Sequence, residues 1–477
     1  MEILLVTPSV EERDATGAAV NALAKILKAR SHEVTVVSPL YEQIDPSARS
    51  LARRLTKLDV ELGGNAYPCT LYDGRTPRGV QQLFVAHDEV FGHAQRIDQE
   101  DASKLLRAAV FAHATASLVK GLDRTFDAVH AFEWSGALAL ERLRGVLPEA
   151  STRTVLTMLS ATGDLPLDAA SRTQLGLGQD AATAESALEA AAPVARHVTV
   201  PSRRLAALFQ SSPRLARVTQ ALTNAGREVR VVPAGIDPAL WNPAIDTAPT
   251  SRFDPMDLRG KAQCKAHLER QLGLPHRNDA PLFAVWPSSA DDQGFEALIA
   301  ALPDALRNDV QFVVLLDHAP SAERRAELDA LVRSLPDRIH VWESAEADAA
   351  HELVAAADFL VVLAGEAGQS QAHLVAARYG ALPIACDAGG FGEHIVDLDA
   401  SLSTGTGLLF ATLGKEDLLG ALRRAAAAFQ DPKAFEARQS AAMRRDFTWD
   451  RSARMFESLY RGGEAFEVGV AAAAPPA

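Results

Sequence analysis

The chain has 477 residues, 48% of them hydrophobic, and carries a formal charge of −13 from 48 Lys and Arg against 61 Asp and Glu. That length exceeds what one compact core fills and predicts two α/β domains of ordinary size. The acidic balance argues against a nucleic-acid or anionic-membrane surface.

Cys69, Cys264 and Cys386 are scattered without metal-ligand spacing, so no metal or disulfide framework is read and a reduced cytoplasmic setting is expected. The opening MEILLVTPSV has no basic leader, and no stretch approaches the ~20 apolar residues of a membrane span.

Residues 2–8 read as a buried strand, 18–30 as a helix and 34–37 as a second strand. Strand, helix and strand within about forty residues form a βαβ unit and imply a parallel sheet. Further strands are expected at 127–130 and 154–159, with an Ala-rich helical region over 165–195. Residues 229–232 read as a strand that breaks at Pro233 and Gly235 into a proline-dotted connector. The connector ends in a helix carrying Leu268 and Leu272, stopped by Gly273 and Pro275. A second sheet is expected from strands at 282–286, 311–316 and 339–342, with a helix over 321–334. The boundaries are therefore an N-terminal domain over 1–228, a linker over 229–275, a second domain over 276–442, a closing helix over 443–462 and a disordered tail over 463–477.

Several segments resemble one family. Gly235-Ile236-Asp237, then Trp241-Asn242-Pro243, then Asp246, then a Lys-rich helix ending LGLP is similar to the interdomain segment of bacterial glycogen (starch) synthases. So is the block Arg378, Tyr379, Gly380, Leu382, Pro383, Ile384, Gly389 and Gly390, and so are HAFEWSGAL at 130–138 and the closing MRRDFTWDRSARMFESLY. The resemblance implies the GT-B fold, two Rossmann-like parallel-sheet domains facing a central cleft, with residues 443–462 crossing back to the first. It implies glucosyl transfer, with retention, from ADP-glucose, a nucleotide sugar, to an α-1,4-glucan. No cofactor is implied, and the oligomeric state is left open.

The family's chemistry is not kept along with its segments. The glycine-rich loop that holds donor phosphates reads EERDATGAAV here: Glu12 stands near the lysine position and only Gly17 remains of the glycines. The family's His-Asn pair falls on Thr157 and Met158, and its His-Asp-Trp segment has Glu133 for the aspartate. The arginine and lysine that neutralise the departing diphosphate fall on Ser288 and Gln293, with Asp291 and Asp292 between them. Nearby Arg277 is a candidate replacement for one cation. The Glu-Pro-x-Gly turn is lost. Glu366 sits one place before the aligned Ala367 and is the best remnant for a donor contact, against its reading as an exposed loop glutamate. Gly389 and Gly390 offer N–H groups to a phosphate, although a tight strand-to-helix turn explains them equally well. The donor-binding candidates are thus Gly17, Glu366, Gly389 and Gly390, with no confident catalytic residue. Two readings follow, a glycogen synthase-like transferase with impaired catalysis or a non-catalytic scaffold that binds glucan or protein. A third, a transferase with altered donor or leaving-group chemistry, needs new cations that no cluster in the sequence supplies.

Overall fold

The computed structural model describes the chain apart from residues 13, 123, 149–150, 161–162, 178–182, 287–291, 317–320, 345, 364–370, 388–389, 399–403 and 464–477. The chain divides into two compact units, Met1–Ala234 with Trp449–Ala477, and Gly235–Thr448.

The first unit holds β1 (Glu2–Val6), α1 (Ala15–Ala29), β2 (Glu33–Pro39), β3 (Ala52–Leu58), the two-residue β4 (Glu61–Leu62) and β5 (Asn65–Ala66), β6 (Cys69–Arg75) and β7 (Gln81–Ala86). Then come α2 (Lys104–Gly121), β8 (Ala128–Phe132), α3 (Glu133–Leu143), β9 (Arg153–Thr157), α4 (Ala169–Leu175), α5 (Ala187–Ala191), β10 (His197–Val200), α6 (Arg203–Ser211), α7 (Ala216–Asn224) and β11 (Val229–Val231). Nine of the strands form one sheet in the order β11-β10-β9-β8-β1-β2-β7-β6-β3. It is parallel up to β7 and antiparallel over β6 and β3. In runs such as EILLV every residue after the leading Glu2 is buried, because helices cover both faces of a parallel sheet. The Ala-rich region, read as helical over 165–195, yields two short helices capped by Asp168 and Ser186.

The second unit holds α8 (Arg259–Gln271), β12 (Leu282–Val285), α9 (Asp292–Ala305), β13 (Gln311–Leu316), α10 (Ala322–Ser334), β14 (Ile339–Glu343), α11 (Ala347–Ala356) and β15 (Phe359–Val362). It continues with α12 (Ala372–Arg378), β16 (Leu382–Cys386), β17 (Leu408–Phe410), α13 (Lys415–Phe429) and α14 (Pro432–Met443). Its six strands run parallel in the order β14-β13-β12-β15-β16-β17. Alternation along each strand feeds two cores: Phe283 and Val285 pack on one side, Leu282 and Ala284 on the other.

The connector does not stand apart as a linker. Val229–Val231 pairs with β10 and closes the first sheet. Beyond Gly235, Ile236, Phe253, Cys264 and Leu268 join the second of those cores. Asp246 fastens it, accepting hydrogen bonds from the Tyr379 hydroxyl and from His351 Nδ1 at 2.7 Å. Trp241 stacks on His351 at 3.9 Å, and Arg378 donates to Asn242 Oδ1 at 2.9 Å. The lysines of α8 are structural. Lys261 donates to the carbonyls of Val354 and Ala355 at the C-terminus of α11, where a cation suits the helix dipole. Lys265 meets Asp358 at 2.7 Å.

α15 (Trp449–Tyr460) returns the chain to the first unit, where Glu457 takes Arg30 at 2.8 Å and His32 Nε2 at 2.7 Å. Burial raises the Glu457 carboxyl, but the hydrogen bonds from Arg30 and His32 outweigh it and hold it at about 2. Its contribution to stability is therefore complete above the ordinary carboxylate range and is lost as pH falls towards 2. Glu457→Gln should cost about 3 kcal/mol at pH 7 and flatten the loss of stability between pH 5 and 3, measured by urea unfolding. In the second unit, Tyr379→Phe should cost about 2 kcal/mol by removing a donor from the Asp246 carboxylate, read in the same experiment.

Candidate functional site

In an open parallel sheet, ligands bind beyond the strand C-termini where the strand order reverses. In the first unit that point lies between β1 and β8, which leave the sheet centre in opposite directions. The groups gathered there are the loop after β1, the first turn of α1, Glu133 at the start of α3, and the residues ending β9.

The loop after β1 is bonded to itself and to its surroundings. Asn21 donates to the Val10 carbonyl at 2.9 Å and to Glu12 Oε1 at 3.1 Å, Tyr41 donates to the Pro8 carbonyl at 2.8 Å, and Arg49 pairs with Glu11 at 2.6 Å. Asp14 caps α1, its carboxylate accepting the Gly17 N–H at 3.2 Å. A Cβ on Gly17 would stand 2.2 Å from the Glu11 carbonyl oxygen, so glycine is required because the loop backbone packs against that turn. The first turn thus already holds a carboxylate where the resemblance implied a donor phosphate.

Glu133 has φ +60, an uncommon conformation for a residue with a side chain. Its carboxylate accepts the Leu159 N–H at 2.8 Å. Desolvation pushes the carboxyl up to about 8; the Leu159 bond opposes this, while the negative charges of Asp14 and Asp98 add to it. Thr157 and Met158 face the interior. Thr157 Oγ1 is hydrogen-bonded to His130 Nε2 and to Thr199 Oγ1, each at 2.6 Å, and Met158 is fully buried. His130 Nδ1 meets the Tyr460 hydroxyl at 2.6 Å, and burial drops the imidazole to about 3, so it stays neutral. Among the described residues, the groups at this end are mainly acids, and Arg49, the cation in contact with the loop, is paired with Glu11.

In the second unit the order reverses between β12 and β15. Glu366, Gly389, Ser288 and Asp291 lie outside the described residues. Gln293 is exposed at the start of α9. Gly294 packs against the end of β15, a Cβ there standing 2.1 Å from the Leu363 carbonyl oxygen. Gly390 has φ +79 and donates its N–H to the Asp387 carbonyl at 2.9 Å, so it closes a turn for which glycine is needed. Arg277, the candidate replacement cation, is held by Asp279 at 2.8 Å and by Asp309. Arg445 donates to the His394 carbonyl at 2.6 Å and to Thr406.

Sequence reasoning missed one pair in this region. His373 Nε2 lies 3.0 Å from His394 Nδ1, beside the turn at Gly390. The available signal was a histidine on either side of the matched block from Arg378 to Gly390. Among the described residues no cluster could hold a metal ion, and no helix is long and apolar enough to cross a membrane.

Comparison with known proteins places these features. The family profile described as "Starch synthase catalytic domain" matches residues 3–213. Glycogen synthase of Anaeromyxobacter sp. (strain Fw109-5) is 31% identical, the alignment covering 97% of this chain and 99% of that protein. Glycogen synthase of Bordetella bronchiseptica is also 31% identical, over 93% of this chain and 92% of its own. Among solved structures, the catalytic domain of starch synthase IV from Arabidopsis thaliana, bound to ADP and acarbose, superposes with a TM-score of 0.84 at 21% identity, over 97% of this chain and 99% of its own. Sucrose-phosphate synthase from Thermosynechococcus elongatus gives 0.64 at 17% identity, over 97% and 99%.

Glu133 yields a sign-defined test. Its folded-state value lies above the unfolded one, so its effect on stability is absent below the carboxylate range and grows as a penalty while pH rises towards 8. Glu133→Gln should unfold at the same urea concentration as the parent at pH 4.5 and at a higher one at pH 8.5; equal midpoints at both would contradict the assignment.

With two relatives at 31% identity over nearly the whole length and a matching GT-B architecture, the chain belongs to the glycogen synthase family.

Proposed function

We propose that this glycosyltransferase-family protein resides in the cytoplasm, that whatever glucosyl transfer it performs runs from ADP-glucose to an α-1,4-glucan, and that this transfer is catalytically impaired. The ligand classes follow from the names of its relatives and from the ADP-bound starch synthase. The three cysteines are free and buried, which fits a reducing compartment.

One observation carries the impairment: the first turn of α1 is occupied by Asp14 and packed against Glu11, with the charge of Asp98 close enough to act on Glu133 beside it. A diphosphate approaching that end meets carboxylates in place of the lysine and glycines that the family motif supplies. The sequence positions of the arginine and lysine that would stabilise the leaving group hold Ser288 and Gln293. Removing a single such contact costs about a hundred- to a thousandfold in rate. Glu366 and Gly389 remain the residues we assign to whatever donor contact survives, with Gly390 closing the turn through its N–H to the Asp387 carbonyl.

The alternative, a non-catalytic scaffold for glucan or protein, draws on the bonds of Asp246 to His351 and Tyr379 and of Arg378 to Asn242, which hold the family-like segments together. What the chain has kept of its family's sequence serves the fold.

The test is glucan incorporation from labelled ADP-glucose by the wild-type chain and by a Ser288→Arg, Gln293→Lys double variant, beside an active glycogen synthase. The wild type should fall at least about a hundredfold below the active enzyme, and the double variant should recover tenfold or more. Wild-type incorporation within tenfold of the active enzyme would overturn the impaired reading. Glucan binding with no incorporation by either protein would favour the scaffold.

A further inference from the structure

At the N-terminal ends of the first sheet's outer strands stands a group of cations that donor chemistry does not use. β9 begins at Arg153. Arg196 immediately precedes β10, which begins at His197. Arg227 precedes β11, and Arg230 is its second residue. These three parallel strands are neighbours, pairing His197 with Val155 and Thr199 with Arg230. Side chains alternate along a strand, so Arg153, His197 and Arg230 project from the same face. It is the face on which His130 meets Tyr460 of α15. Just past the end of that helix, Gly462 lies close to the Arg153 guanidinium, 3.0 Å from a Cβ built on it.

Two polar atoms in this group are buried without a partner. His197 is 9% exposed, and its Nε2 makes no hydrogen bond; the Arg227 Nε is likewise enclosed and unpaired. Burial, and after it the charges of Arg230, Arg196, Arg227 and Arg153, drop the His197 imidazole to about 4, so the ring stays neutral with a donor to offer. Among the described residues none of the four arginines is in an ion pair, and Glu228 between two of them is exposed and unpaired. A chain with net charge −13 thus concentrates, at this end of the sheet, four guanidinium groups without an ion pair among the described residues, close to a buried, unsatisfied histidine. Their mutual repulsion is relieved by an anion of more than one charge, and guanidinium forks match phosphate oxygens better than any other side chain does.

We propose that Arg153, Arg227, Arg230 and His197 form a binding site for a phosphate-bearing small anion, separate from the strand C-termini where the donor end lies, with Arg196 adding only its long-range charge. The arginines bind the phosphate oxygens, and His197 Nε2–H supplies a directed donor. Its source is either a phosphorylated metabolite or inorganic pyrophosphate; both present the same group.

The test is calorimetric titration with inorganic pyrophosphate and, separately, inorganic phosphate, on the full chain, an Arg227→Gln, Arg230→Gln double variant, and an Arg53→Gln, Lys57→Gln control altered on β3. The full chain and the control should bind pyrophosphate with micromolar affinity, and the double variant at least tenfold more weakly. The His197 ring resonances should move on binding in the full chain. Equal affinity in the double variant, or no binding at about 1 mM, would overturn the proposal. Binding only after removal of residues 464–477 would also overturn it, assigning the cluster to the chain's own Glu464 and Glu467.

Discussion

The second unit depends on one carboxylate. Asp246, arriving on the connector, receives the Tyr379 hydroxyl and the His351 ring, and Trp241 stacks on that same histidine. Arg378 reaches Asn242 alongside. These bonds hold residues 235–271 against the second core, and through them α8, whose Lys261 and Lys265 anchor α11 and Asp358. The two sequence blocks that most strongly resemble the family, the connector and the stretch from Arg378, are therefore two halves of one contact. Neither half can change alone without leaving a buried polar group unsatisfied, which costs about 1–3 kcal/mol. Their retention reports on folding.

The strand C-termini of the first unit tell a different story. There the backbone of Glu11 fills the space beside Gly17, Asp14 occupies the N-terminus of α1, and Glu133 is raised by burial among like charges. A site built to receive a diphosphate places cations and free N–H groups at that location. Here the free N–H groups have been taken up internally. The family fold thus persists around a donor end where an acid caps the first turn of α1 in place of the motif's glycines and lysine, and the proposal of impaired transfer follows from that replacement.

Much of the architecture was legible. Buried parallel strands appear as apolar runs such as EILLV and QFVVLL, and short crossovers between them dictate a parallel sheet. The antiparallel edge was not legible. β3 reads ARRLTKL and is exposed at all but its last residue, so it carries neither an apolar run nor alternation. The lysines of α8 also defeated reading by type, because a buried Lys with carbonyl partners looks like a surface Lys in sequence. At the site, the loss of the lysine, histidine and glycine positions was visible residue by residue. The positive φ of Glu133, the pairing of His373 with His394, and the inward turn of Thr157 towards His130 depend on contacts between segments far apart in sequence.

The central claim is that the donor end no longer welcomes a nucleotide diphosphate. It is tested most directly by calorimetric titration with ADP of the Arg227→Gln, Arg230→Gln double variant, in which the donor end is unaltered. The account predicts no binding in the micromolar range, with any residual affinity weaker than about 1 mM. A micromolar dissociation constant that survives neutralisation of the Arg227 and Arg230 cluster would contradict it, because new cations would then have to serve the donor phosphates.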